Sequence, residues 1–171
     1  MKNIFHTTEW QRLLHLCKKW KTEGEAVVFT NGCFDGLHPG HLALLDFARK
    51  QGEHLLVGLN SDKSVHALKG EGRPVYSGEK RAEDIMQSGF ADAVVFFDEP
   101  TPRNIISHIQ PDILIKGSDY SMDTIVGADE VKAHGGKVLL FPRIAGYSSS
   151  EILAKHRKEK GNKKNDKVLS R

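Results

Sequence analysis

Residues 26–41, AVVFTNGCFDGLHPGH, decide the fold reading, because an apolar, β-branched segment runs straight into a glycine turn and then into a helix start. Ala26 to Thr30 has the composition of a strand buried on both faces of a parallel sheet, and Asn31-Gly32 breaks it. Leu42, Leu44, Leu45 and Ala48 follow His38-Pro39-Gly40-His41 at helical spacing. Pro39 then falls at the first helical position, where its missing N–H does no harm. His38 and His41 share that helix N-terminus. Unpaired N–H groups, partial positive charge and the amides of a glycine turn suit phosphate, and two imidazoles add side-chain donors. Two other readings compete: histidines that only cap the helix or face solvent, and a metal site from Asp35, His38 and His41. Neither cysteine has a CxxC partner, which weighs against zinc.

Working outward, Trp10, Leu13, Leu14, Cys17 and Trp20 recur at helical spacing within Thr8 to Lys21, giving an amphipathic N-terminal helix whose stripe packs on the sheet or, less favourably, on a partner. After the His38 to Gln51 helix, His54 to Leu59 is a second buried strand ending at Asn60-Ser61-Asp62. The two strands and their helix make a βαβ unit, so the His38 turn and Asn60 to Asp62 face one crevice beyond the strand C-termini. Leu68 to Pro74, LKGEGRP, is a glycine-loosened loop whose Lys69 and Arg73 either close over a triphosphate or are solvated surface charge.

A helix near Ser77 to Ser88 follows, then a strand at Ala93 to Phe97, a helix at Pro102 to Ile109, a strand at Ile113 to Lys116, a helix at Gly127 to His134 and a strand at Lys137 to Phe141. The alternation gives an α/β fold: a doubly wound, mainly parallel five-stranded sheet of Rossmann-like type with an extra N-terminal helix. A last helix from about Ser149 to Arg157 starts with serines that cap it or bind phosphate. The expected organisation is an N-terminal helical segment (1–25), one nucleotide-handling domain (26–157) and a basic tail (158–171) rich in lysine and poor in apolar residues.

Composition narrows the function classes. With 171 residues, 39% hydrophobic and 27% charged, the chain suits one sizeable core. No apolar run of about 18 residues spans a membrane and MKNIFHTTEW lacks a signal-peptide core, so a cytoplasmic protein with no membrane partner is expected. The net charge of +3 is concentrated in the tail, and no basic face is interleaved with aromatics, so no nucleic-acid partner is expected. Cys17 and Cys33 read as reduced thiols.

The pattern Gly32-x-Phe34-Asp35-x-x-His38-x-Gly40-His41, with six fixed positions, resembles the signature of the cytidylyltransferase-like nucleotidyltransferase superfamily. Lys69 to Pro74, Pro111 to Tyr120 (PDILIKGSDY), Ile125 to Ala128 and Gly146 to Ile152 narrow it: together they resemble the D-glycero-β-D-manno-heptose 1-phosphate adenylyltransferase family over about Ala26 to Lys155. The match is to the free-standing or C-terminal adenylyltransferase domain of that family's bifunctional proteins.

That resemblance implies an ATP-dependent transfer of AMP to the sugar 1-phosphate, giving ADP-heptose for a surface glycan and releasing pyrophosphate. It implies Mg2+, with metal ligands unassigned, and a separate heptose kinase upstream, since no sugar-kinase domain is seen here. It implies catalytic roles for His38, His41 and Lys69. It places Asn31, Gly32, Cys33, Phe34, Asp35, Gly40, Arg73, Arg81, Arg143, Tyr147, Ser148, Ser149 and Ser150 on the nucleotide, and Asp35, Lys116, Asp119 and Tyr120 on the acceptor.

The chain departs from the family pattern in two places and exceeds it in a third. Ser148-Ser149-Ser150 stands where Ser-Thr-Thr is frequent, which keeps the hydroxyls. Glu83, Asp84, Gln87 and Ser88 replace apolar or small residues, which bears on that helix's packing and on any homodimer contact it makes. The basic tail lies outside the resemblance. The alternatives left open are a cytidylyltransferase acting on a polyol phosphate such as glycerol 3-phosphate, and a nucleotide-binding protein without turnover.

Overall fold

A computed structural model describes residues 3–117 and 124–142. The expected last helix and the basic tail lie outside the described residues. In chain order the elements are β1 (Ile4–Phe5), α1 (Trp10–Thr22), β2 (Val27–Gly32), α2 (Pro39–Arg49), β3 (His54–Asn60), α3 (Asp62–Lys69), α4 (Gly78–Gln87), β4 (Ala93–Phe97), α5 (Arg103–Ile109), β5 (Ile113–Gly117), α6 (Ala128–Ala133) and β6 (Lys137–Phe141).

The strands form one sheet in the order β1-β4-β3-β2-β5-β6, every pairing parallel. The expected five strands are therefore six, and the sheet is wholly rather than mainly parallel among the described residues. The additional strand, β1, lies on the edge with Ile4 opposite Val94 and Phe5 opposite Val95. A two-residue strand has no alternation to detect, and its partner is some ninety residues away, so local pattern cannot reveal it.

Strands covered on both faces are apolar throughout rather than alternating, and the side chains of successive residues go to opposite cores. Val27 and Phe29 of β2, Leu56 of β3 and Ala93, Val95 and Phe97 of β4 pack with Leu13, Cys17 and Trp20 of α1, Ile105, Ile106 and Ile109 of α5 and Val131 of α6. Val28, Leu55, Val57, Leu59, Val94 and Phe96 pack on the other face with Leu45 and Ala48 of α2 and Ala82 and Ile85 of α4. The stripe of α1 is thus spent on the sheet. Cys17 and Cys33 are both free thiols.

On α4, Ala82 and Ile85 turn inward while Glu83 and Gln87 are exposed, so these polar replacements sit on the outer face and leave the core contact intact. The helix α3 was not expected. Ser61 caps it by accepting from the Ser64 N–H, but only Ser64 and Val65 are buried in its eight residues, too little for an apolar period.

Candidate functional site

The sheet order changes direction at β2, which has β3 on one side and β5 on the other. Beyond the C-terminal ends of these strands lies a cleft of about 500 Å³, where doubly wound sheets place ligands. Asn31, Gly32, Cys33, Phe34, His41, Lys69 and Lys116 line it, as the sequence reading expected of a shared site. Asn60 lines it too, at the strand end expected to face this crevice, and Thr30, Leu44, Leu68, Pro100, Thr101, Pro102, Gly117 and Val126 line it without having been among the expected site residues. The signal for Pro100 to Pro102 was available: they follow a strand end, and every parallel strand end opens toward the crevice.

The β2–α2 junction folds as its sequence dictates. His38 is the N-cap of α2, Pro39 occupies the first turn, and the His38 Nδ1 accepts from the His41 N–H at 3.3 Å. The two imidazoles stack with ring centroids 3.7 Å apart and planes 21° apart, and the Phe34 ring lies 5.0 Å from that of His41. Burial pushes the His41 pKa down to about 3, aided by His38 and Lys69 and opposed by a hydrogen bond with the Gly36 backbone. Burial, then Lys69, also lowers the His38 pKa. Both rings are therefore neutral near pH 7, and the His41 Nδ1 is buried without a hydrogen-bond partner.

Lys69 ends α3 and lies near enough to perturb His38, His41 and Cys33. Lys116, at the end of β5, is 8% exposed, and burial lowers its amine to about 8. Burial likewise raises the Cys33 thiol, with Lys69 and Arg81 pulling it back. One glycine makes the wall possible. Gly58 of β3 sits opposite Asn31, and a Cβ there would meet the Phe29 ring at 2.7 Å and the Asn31 Cβ at 3.0 Å.

Five expected site residues stand behind the wall rather than on it. Asp35 is 1% exposed and both carboxylate oxygens are engaged: Oδ2 accepts from Arg73 Nε at 2.5 Å, and Oδ1 from the Val75 and Tyr76 N–H groups at 2.8 and 3.2 Å. Arg73 is thereby drawn onto Asp35. Arg81 is 1% exposed and bonded to protein groups. Gly40 is within the first turn of α2 and does not line the cleft. His38 lies behind His41 as its cap. Asp119, Tyr120, Arg143, Tyr147, Ser148, Ser149 and Ser150 lie outside the described residues. Among the described residues no group of three or more His, Cys, Asp or Glu side chains is placed to hold a metal ion. Among them, too, no helix is long and apolar enough to cross a membrane.

Comparison with known proteins agrees with this geometry. The cytidylyltransferase-like family model matches residues 29–155. The chain is similar to the bifunctional protein HldE of Methylobacillus flagellatus, 49% identical over 143 residues, which are 84% of this chain and 29% of that protein. It is similar to the bifunctional protein HldE of Mesorhizobium japonicum at 51% over 138 residues, 81% of this chain and 28% of that one. The chain thus spans under a third of the length of these relatives. Among solved structures it is similar to a lipopolysaccharide core biosynthesis protein from Thermoplasma volcanium, with a TM-score of 0.55 and 25% identity over 73% of this chain and all of that one.

Proposed function

The chain belongs to the cytidylyltransferase-like family of nucleotidyltransferases, and on that premise we propose that it transfers AMP from ATP to D-glycero-β-D-manno-heptose 1-phosphate, giving ADP-heptose and pyrophosphate. The observation that carries the reading is the pair of stacked, neutral imidazoles at the start of α2, of which His41 lines the cleft at the sheet's switch point with His38 behind it and Lys69 and Lys116 on the walls. The heptose acceptor is supported by the resemblance of Lys69 to Pro74 and Pro111 to Tyr120, and by the similarity to the HldE proteins.

In the proposed reaction an oxygen of the acceptor phosphate attacks the α-phosphorus of ATP, the new P–O bond forms, and the bond to the β-phosphate oxygen breaks to release pyrophosphate. The attacking oxygen is already anionic, so the protein needs no covalent nucleophile and no strong base. Positioning and charge stabilisation suffice. One N–H of each neutral imidazole acts as donor, since Pro39 has no N–H and the His41 and Leu42 amides donate to His38. The Lys69 ammonium screens the leaving pyrophosphate, and Lys116 meets the acceptor phosphate. Arg143, Ser148, Ser149, Ser150, Asp119 and Tyr120 keep the roles their motif implies.

Mg2+ belongs to the same proposal, as do a homodimer and an upstream kinase that makes the sugar 1-phosphate. The described residues do not fit a protein cage for Mg2+, since Asp35 is fully engaged and no ligand cluster faces the cleft. We derive no step through the ion.

The test is pyrophosphate release across four nucleoside triphosphates with heptose 1-phosphate or glycerol 3-phosphate as acceptor. ATP with the heptose should be much the fastest pair. A preference for CTP and glycerol 3-phosphate refutes the heptose reading and leaves nucleotidyl transfer standing, whereas no release with any pair makes the chain a binding protein.

A further inference from the structure

Arg81 heads the largest fully buried side chains of the molecule. Its Nη1 donates to the carbonyls of Cys33 at 2.6 Å and Asn60 at 2.9 Å, its Nε to the carbonyl of Tyr76 at 3.1 Å, and its Nη2 to Asp62 Oδ1 at 2.6 Å. Four of the five N–H groups of a guanidinium are thus taken. Three of the acceptors are main-chain carbonyls from separate segments: the turn after β2, the end of β3 and the lead into α4. Tyr76 is gripped from both sides, since its N–H donates to Asp35 while its carbonyl accepts from Arg81.

The contact with Cys33 bears most directly on chemistry. The next residue, Phe34, has a φ of +44°, a left-handed conformation costly for a bulky side chain and found where surrounding structure enforces it. In a planar trans peptide the carbonyl and the following N–H point in opposite directions. Arg81 pulls the Cys33 carbonyl inward, so the Phe34 N–H is turned away from the core. Cys33 and Phe34 line the cleft, and Arg81 does not.

We propose that Arg81 is a positioning residue: by holding the Cys33 carbonyl it aims the Phe34 N–H at the phosphate that develops charge in the transition state, and it does not bind phosphate itself. The inference rests on the nucleotidyl-transfer reading above. A donor misaimed by a fraction of an ångström loses its value mainly in the transition state, so turnover should suffer and ground-state binding should not.

The test uses Arg81→Lys, Arg81→Ala and, as a control, Lys69→Ala in the full chain, with rates expressed per folded protein from near-UV circular dichroism. Arg81→Lys should lose about tenfold or more in kcat, with the KM for ATP and the calorimetric Kd for pyrophosphate changed by less than about threefold. Methylguanidinium should restore Arg81→Ala saturably and should not restore Lys69→Ala. If neither Arg81 variant folds, Asp62→Ala, which removes the half-exposed carboxylate that steadies Nη2, should lower kcat with KM unchanged.

Two results overturn the proposal: unchanged kcat and KM per folded protein, which makes Arg81 purely structural, or a raised KM and pyrophosphate Kd with kcat kept, which makes it a direct phosphate ligand. Absence of turnover in the unmodified chain refutes the nucleotidyl-transfer reading instead, so the two failures are distinct.

Discussion

His38 has two jobs in this structure, and one substitution separates them. As N-cap of α2 it accepts a hydrogen bond, and as half of a stacked pair it backs the His41 ring that lines the cleft. Replacing a cap residue by Ala costs about 1 kcal/mol, and the 3.3 Å cap bond puts His38 at the lower end of that range. Losing the ring stack adds about 0.5–1 kcal/mol. His38→Ala should therefore destabilise the chain by about 1–2 kcal/mol, a drop of about 2–8 °C in Tm for a domain of this size. The protein stays folded at 25 °C, because domains of this kind hold about 5–15 kcal/mol.

Loss of the imidazole donor should separately lower kcat about 100-fold, or about 2.7 kcal/mol of transition-state stabilisation. His38→Asn separates the two effects, since Asn is among the best N-caps and has no imidazole. It should recover at least half of the Tm loss while turnover stays low. The assay is steady-state pyrophosphate release beside thermal unfolding by circular dichroism. Wild-type turnover in His38→Asn refutes the catalytic assignment, and activity that follows Tm across both variants shows that the histidine serves only the helix.

The remaining predictions concern protonation and packing. His41 has a folded pKa of about 3 against 6.5 when unfolded; its neutral form is favoured by folding, so its contribution is fully present above about pH 6.5 and is lost as pH falls toward 3. Urea unfolding at pH 7 and pH 5 should show that loss, and His41→Asn should reduce the difference; an unchanged difference refutes burial as its origin. A triphosphate favours a protonated neighbour, so ATP binding should take up protons near pH 6, read by calorimetry in buffers of different ionisation enthalpy. Equal observed heats in all the buffers refute it. Gly58→Ala should destabilise by about 1–3 kcal/mol through overpacking, since the added methyl meets Phe29 and Asn31; unfolding within error of wild type sinks this account.

The sequence made the core of the site legible because its signals are local. Pro39 at the first turn, two histidines three residues apart and an apolar run before a glycine all act within one turn of chain. The same holds for β2 to β6, whose apolar blocks follow from being covered twice. What it hid depends on distant partners. Asp35 and Arg73 are two plausible ligands in sequence and pair with each other in space, because neither residue type declares what it will face. Arg81, a cation beside a phosphate loop, reads as a phosphate ligand until its carbonyl partners are known.

The edge strand β1 has a bearing on handling the protein. Ala93–Phe97, AVVFF, is short, uncharged and strongly β-prone, the kind of segment that recruits copies of itself when its main-chain groups are bare. Ile4 and Phe5 pair along that side of it, and the Asn3 carbonyl takes the Val94 N–H at 2.9 Å. Trimming residues 1–6, or fusing a bulky tag that pulls them loose, would bare a self-templating edge. Such a preparation should precipitate through its sheet while its catalytic cleft is still intact.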